Sequence, residues 1–203
     1  MSRWIPGFVG LVLTLAVLTT AARLHGAAAL SPQQADLFAR KVSQIANQAP
    51  GPAAGQPRRT PLTEAEINSW FTYRAKPVLP TGVSNPQVSL VGGGRLSGEM
   101  QVNLDTIGRR RSTGRLDPWN LLTGTVPVRV TGTLDARNGV GRFMLESAEL
   151  AGLPVPKLVI QELLSTYSRS TANPGGVSLD DPFPLPSRIR QIEVGAGQAV
   201  VVQ

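Results

Sequence analysis

Between Val126 and Leu150 apolar and polar residues alternate on both sides of Asn138-Gly139, and that pattern restricts the fold more than any other feature of the chain. Successive side chains of a strand point to opposite faces. Val126, Val128, Val130 and Leu134 therefore fall on one face, and Pro127, Arg129, Thr131 and Thr133 on the other. Asn-Gly favours a type I′ turn, whose twist matches that of the strands it joins. The segment is predicted to be a β-hairpin with one apolar and one polar face. The same period occurs twice more. Val88 and Leu90 alternate, Gly92-Gly93-Gly94 turns, and Leu96, Met100, Val102 and Leu104 alternate back. Ile189 to Val194 and Ala199 to Val202 flank the turn Gly195-Ala196-Gly197. Three hairpins give six antiparallel strands.

Three segments carry helical signals instead. Ser31-Pro32-Gln33-Gln34 supplies an N-cap, a proline at the first helical position and a glutamine at the third. Phe38, Val42 and Ile45 then form an apolar stripe, with Arg40, Lys41 and Gln44 off it. Thr63 and Glu66 are spaced as a capping box, and Leu62 and Ile67 as a hydrophobic staple. Ile67, Trp70 and Phe71 give that second helix a heavy apolar face, and Lys76-Pro77 stops it. The third helix follows Leu153-Pro154-Val155-Pro156 and runs from Lys157 to Tyr167. Leu158, Val159, Ile160, Leu163, Leu164 and Tyr167 make it apolar over more than half its circumference, so it is predicted to lie buried on the sheet. Residues 49–61 read as a Pro-, Gly- and Ala-rich linker and residues 168–182 as a polar loop. The predicted fold class is α+β: an antiparallel, bent β-sheet of about six strands packed on two or three helices. The expected organisation is a signal peptide or anchor over 1–29, an N-terminal helix over 30–48, a linker over 49–61 and a single α+β domain over 62–203.

The leader sets the compartment. Arg3 precedes an apolar run from Ile5 to Ala22, Arg23 closes it, and Ala27 and Ala29 stand at the spacing a signal peptidase reads. The run is also about long enough, at roughly 27 Å, to span a bilayer as an uncleaved anchor. Either way the folded part is exported, to a periplasmic or extracellular location. The chain has no cysteine, so no disulfide framework supports it and the core holds by burial. Removing Arg3 and Arg23 with the leader lowers the net charge from +7 to +5. A basic excess outside the cytoplasm suits anionic surfaces such as lipid headgroups.

The single histidine, His25, also lies in the leader. The exported part thus lacks imidazole and thiol, and with them the commonest general base, zinc ligands and nucleophile. Nucleophile elbows, Walker loops, zinc-protease and EF-hand motifs are absent. Carboxylates remain as an acid/base possibility. Glu146 and Glu149 stand three apart on a strand and are expected on opposite faces. Asp180-Asp181 reads as turn chemistry, and Glu64 and Glu66 serve a helix N-terminus. No catalytic residue, metal or cofactor is assigned.

Two sets of residues are candidates for binding. Arg109, Arg110, Arg111 and Arg115 are the densest charge, suited to bidentate contact with anionic headgroups, with Trp119 nearby. Leu158, Leu163, Val128 and Val130 are expected to line an apolar groove between the last helix and the sheet. Nucleic acid is not an expected partner, because the chain is exported and its arginines are not interleaved with aromatics.

The order of these features resembles the small exported bacterial domains of the YpmS-like kind. The residues that carry the likeness are Thr63-Glu64-Ala65-Glu66-Ile67-Asn68, Asn138-Gly139, Gly152-Leu153-Pro154-Val155-Pro156 and Leu185-Pro186, over about residues 60–203. These domains in turn are similar to the tubular lipid-binding (TULIP) superfamily. That resemblance implies a bent sheet around a long helix, an apolar groove and a lipid ligand, with no residue role transferred. Three functions follow as expectations: a non-enzymatic envelope protein binding an apolar or amphiphilic ligand, an envelope interaction or scaffold domain, or a carboxylate-dependent hydrolase. N-terminal sequencing of material recovered from the cell envelope is expected to begin at Leu30. A chain still starting at Met1 or Ser2 in the membrane fraction identifies an anchor.

Overall fold

The local signals form the elements they specify. In a computed structural model, which describes residues 29–47, 56–108, 124–167, 174–176 and 178–203, helix α1 spans Pro32–Ala46 and α2 spans Glu64–Tyr73. Ser31 caps α1 by accepting from the Gln34 N–H. Thr63 and Glu66 complete both halves of the capping box on α2. The first hairpin is β2 (Val83–Gly92) and β3 (Arg95–Asn103), and the second is β4 (Thr125–Arg137) and β5 (Val140–Leu150). Asn138 and Gly139 have φ of 52° and 77°, as a type I′ turn requires. The last hairpin, β8 (Gln191–Gly195) and β9 (Gln198–Val202), turns through Ala196 and Gly197. Helix α3 (Leu104–Gly108) follows β3, and α4 (Lys157–Tyr167) precedes β7 (Phe183–Pro184).

The sheet has nine strands where about six were expected. The additional ones are β1 (Arg59–Thr63), β6 (Leu153–Pro154) and β7. Each contains a proline, and each pairs with only one other strand. Proline is tolerated there because its missing N–H can face away from the ladder. β1 occupies residues read as linker, and its period of two is written with a threonine: Thr60 and Leu62 are buried, Arg59 and Pro61 exposed. The strand order is β1-β9-β8-β4-β3-β2. β5 lies along the other edge of β4, and β6 and β7 pair with the two ends of β5. Toward its C-terminal end β4 leaves β3 and takes up β8, pairing Ala136 with Ile192.

Helices α1 and α2 run antiparallel and cover one end of the apolar face. The Ser31 N–H donates to Ser69 Oγ near the end of α2, while Lys41 Nζ reaches Glu66 in its first turn at 2.7 Å and the Pro61 carbonyl at 2.7 Å. The inward side of α1 is therefore Ala35, Phe38, Lys41 and Ile45, and Val42, expected on the stripe, is exposed. The stripe is rotated because α1 packs against α2, where a buried carboxylate draws Lys41 inward. Ile45, Leu62, Ala136, Leu185, Ile189 and Val201 form one buried cluster; Leu90, Val194 and Ala199 form a second, and Ile67 packs against both. Trp70 and Phe71, expected in the core, are only half-buried, with the Trp70 ring 5.7 Å from Phe38 and 5.6 Å from Phe71.

The expectation that Lys157–Tyr167 is buried on the sheet is corrected. α4 lies against β5, yet none of its described side chains is fully buried and Leu158 is 78% exposed. The approach of α4 is set elsewhere: Lys157 pairs with Asp180, and Gln161 Oε1 accepts from the Leu179 N–H. No helix among the described residues is long and apolar enough to cross a membrane, and the run Ile5–Ala22 lies outside them.

Side chains of α2 hold the outer edge of β2. Asn68 donates to the Val88 carbonyl and accepts from the Val88 N–H, both at 2.8 Å. Glu64 accepts from the Leu90 N–H at 2.7 Å, and the Gly197 N–H donates to the Leu90 carbonyl. Asn68→Ala strips both partners from Val88 and should lower stability by about 2–3 kcal/mol in urea unfolding. A loss under about 0.5 kcal/mol would mean that water replaces the amide at no cost.

Candidate functional site

The apolar face of the sheet extends beyond the end covered by α1 and α2. On β3, β4 and β5 the inward positions align across strands in register. Met100 faces Val128, which faces Leu150; Gly98 faces Val130, which faces Ala148; and Val102 faces Val126. Met100, Val102, Val126, Val128, Val130 and Leu150 are all half-buried, whereas Leu90, Ala136 and Val194 under the helix pair are buried. Gly98 and Ala148 flank Val130 with almost no side chain, so the strip is shallowest in its middle row.

The strip stops where aromatic rings cross the sheet. Phe143, paired with Leu134, lays its ring over Gly132. A Cβ at Gly132 would come 2.4 Å from Phe143 Cζ and 2.5 Å from the Met144 carbonyl oxygen, so only glycine leaves room for the ring. The opposite end of the strip is the start of α3. There the Leu104 N–H donates to the Gly124 carbonyl at 2.9 Å, and Asp105 accepts from the Gly124 N–H. The stems of segment 109–123 are thus tied together beside Val102 and Val126.

The sequence-predicted site residues distribute as follows. Val128 and Val130 are neighbours on the strip. Leu158 is on α4 and turned to solvent. Leu163 lies within α4, its side chain outside the described residues. Arg109, Arg110, Arg111, Arg115 and Trp119 also lie outside them. Met100 and Leu150 were not singled out from sequence, although their alternation with polar neighbours carries the same signal as Val128.

The opposite face of the sheet is polar and laced with ion pairs: Arg59–Glu193, Arg95–Glu146, Arg129–Glu99, Arg129–Glu149 and Arg137–Asp135. Glu146 and Glu149, expected on opposite faces, share this one. A bulge opposite Thr131 and Gly132 adds a residue to β5, so Glu146 bonds Thr133 and Glu149 approaches Arg129. Thr133 and Arg129 are about 13 Å apart along β4, and each of these glutamates lies against an arginine, so no acid/base pair forms. A hydrogen bond from Arg59 holds the Glu193 carboxyl below the usual carboxylate range, with the nearby positive charge adding to it. The contribution of that pair to stability is present above the ordinary carboxylate pKa and fades as pH falls through the lowered one. Both groups are exposed, so the contribution is small. An open concavity of about 350 Å³ lies where the glycine turn of β2–β3 meets β4 and β8, lined in part by Thr133, Asp135, Arg137, Gln191 and Glu193. Asp135 and Glu193 there are both ion-paired, and none of the residues expected to bind a ligand lines it. Among the described residues no group of three carboxylates could hold a metal ion.

The chain matches no family model and no curated protein.

Gly132→Ala should cost about 1–3 kcal/mol in urea unfolding, since either the Phe143 ring or the β5 backbone must move. Unchanged stability would show that the ring swings aside freely and that the strip has no fixed end.

Proposed function

We propose that this is an exported envelope protein that binds an apolar or amphiphilic, lipid-like ligand along the strip of β3, β4 and β5. The observation that carries the reading is a continuous apolar face, centred on Val128 and Val130, that is only half-buried beside a helix whose Leu158 is 78% exposed. A contiguous apolar face that the fold leaves incompletely covered is where an apolar ligand would lie. The likeness to YpmS-like and TULIP domains points to the same ligand class.

A binding role without chemistry fits the rest of the chain. The part beyond the leader has no histidine or cysteine. Its sheet carboxylates are each matched to an arginine. Leu104 and Gly124, which flank the positions of Arg109, Arg110, Arg111 and Arg115 in the sequence, are bonded together at the end of the strip, and an arginine cluster has the chemistry to meet an anionic headgroup.

Two measurements test the reading. Native mass spectrometry of protein purified from its own envelope is expected to find a co-purifying lipid. Leu158→Asp should weaken lipid retention about tenfold or more, because a buried leucine contributes about 1.5–3 kcal/mol. The urea midpoint should move little, since Leu158 is mostly exposed in the free fold. If no lipid co-purifies and the variant binds vesicles as the parent does, the strip serves an envelope scaffold instead.

A further inference from the structure

The end of the domain where α1 begins presents a second apolar surface, separate from the strip. Leu30, Tyr73 and Val78 are 40%, 44% and 68% exposed. The Tyr73 hydroxyl donates to the Leu30 carbonyl, and Val78 ends the 3-10 turn Lys76–Val78 that follows α2 after two residues. Lys76 and Pro77 are exposed beside them. This surface is held in place. Ala75 is fully buried, its N–H donates to the Trp70 carbonyl, and its carbonyl accepts from Val78 and Leu79. Arg74 pairs with Asp36, which ties the end of α2 to α1. An apolar cap with one tyrosine, one lysine and no unpaired acid has the composition found where proteins meet the lipid interface.

The sequence says what this end faces. The apolar run Ile5–Ala22 stops seven residues short of Leu30. Seven extended residues reach at most about 25 Å. While that run is in a bilayer, before cleavage or as an uncleaved anchor, this end of the domain stays within that distance of its surface. The opposite end lies farther off by the length of α1, 15 residues or about 22 Å. There Gln203 Nε2 joins the carbonyls of Ile45 and Ser187, next to exposed Arg188.

We propose that the surface formed by Leu30, Tyr73 and Val78 docks on an anionic bilayer, with Lys76 against the phosphates. The docked end adjoins the ligand strip. From Val78 the chain runs through Pro80 into β2, and the Gly82 carbonyl accepts from the Asn103 N–H at 2.7 Å, one residue beyond Val102. Docking therefore brings the Val102–Val126 end of the strip to the membrane, which makes a bilayer lipid the source of its ligand. That last clause rests on the lipid-binding reading; the docking itself does not.

The chain has no cysteine, so Val78→Cys and Arg188→Cys each create one labelling site. Each variant of the full chain, carrying an environment-sensitive fluorophore, is mixed with phosphatidylglycerol–phosphatidylcholine vesicles. The label at position 78 is expected to brighten severalfold, shift to the blue and be quenched by spin-labelled lipid, while the label at 188 stays as in buffer. Adding Tyr73→Glu to Val78→Cys should at least halve the response. A label at 78 that remains solvent-like overturns the proposal, as does an equal response at both positions. A blue shift that needs no vesicles and grows with protein concentration also overturns it, and identifies a second copy of the chain as the occupant. A solvent-like label in a protein that still co-purifies with lipid removes the docking and leaves the ligand reading standing.

Discussion

The first turn of α2 is the joint on which the rest of the molecule hangs. Thr63 and Glu66 close the capping box, and the same Glu66 carboxylate, almost fully buried, receives the Lys41 ammonium from α1. Glu64 turns the other way to hold Leu90 on β2, while its own N–H donates to Gly197 in the β8–β9 turn. Asn68, one turn on, holds Val88. Within six residues one helix thus fixes its own start, the helix packed on it, the edge of the first hairpin and the tip of the last. Removing one partner from a buried charged pair leaves the other ion stranded, a penalty of about 3–5 kcal/mol, so this joint is stiff. It also explains why α1 and α2 cover one end of the apolar face and stop. Their position is dictated by polar contacts to β1, β2 and the β8–β9 turn, and the valines of β4 lie past their reach.

The two faces of the sheet meet water differently. Arginine–carboxylate pairs along β1, β3, β4, β5 and β8 keep the outer face hydrated, each contributing little to stability because it is exposed. Burial on the inner face supplies the stability, since no disulfide assists. That dependence makes the half-buried strip costly to maintain: apolar surface left in water gives nothing to folding. A bound apolar tail would recover that contribution.

Much of the fold was legible because much of it is local. Ser31-Pro32, Thr63-x-x-Glu66, Gly92-Gly93-Gly94 and Asn138-Gly139 act within four residues of themselves, and each does in the structure what its chemistry predicts. The elements that were missed depend on partners far along the chain. β1 is a strand because β9 lies beside it, and no period marks a strand that alternates threonine with leucine and carries a proline. β6 and β7 are two residues long. The bulge that brings Glu146 and Glu149 to one face lies in β5 opposite Thr131 and Gly132 of β4, a cross-strand fact invisible in either segment alone. For α4 the apolar periodicity was real, but periodicity states how much surface a helix offers and not whether a partner covers it. At the candidate site Val128 and Val130 could be read directly. Their neighbours Met100 and Leu150 needed the register, and the arginine run lies outside the described residues.

One further consequence follows from the segment Pro61–Asn68. The end strands of the six-strand path are β1 and β2, and a bare strand edge is a template on which other chains polymerise. Pro61 offers no N–H at the β1 edge, its carbonyl is taken by Lys41, and the Thr63 N–H is taken by Glu66. Asn68 takes both outward groups of Val88 on β2, and Glu64 takes the Leu90 N–H. Eight consecutive residues therefore blunt both ends of the path. The safeguard forms in one step: once this stretch has folded, these backbone groups at both ends of the path are already taken.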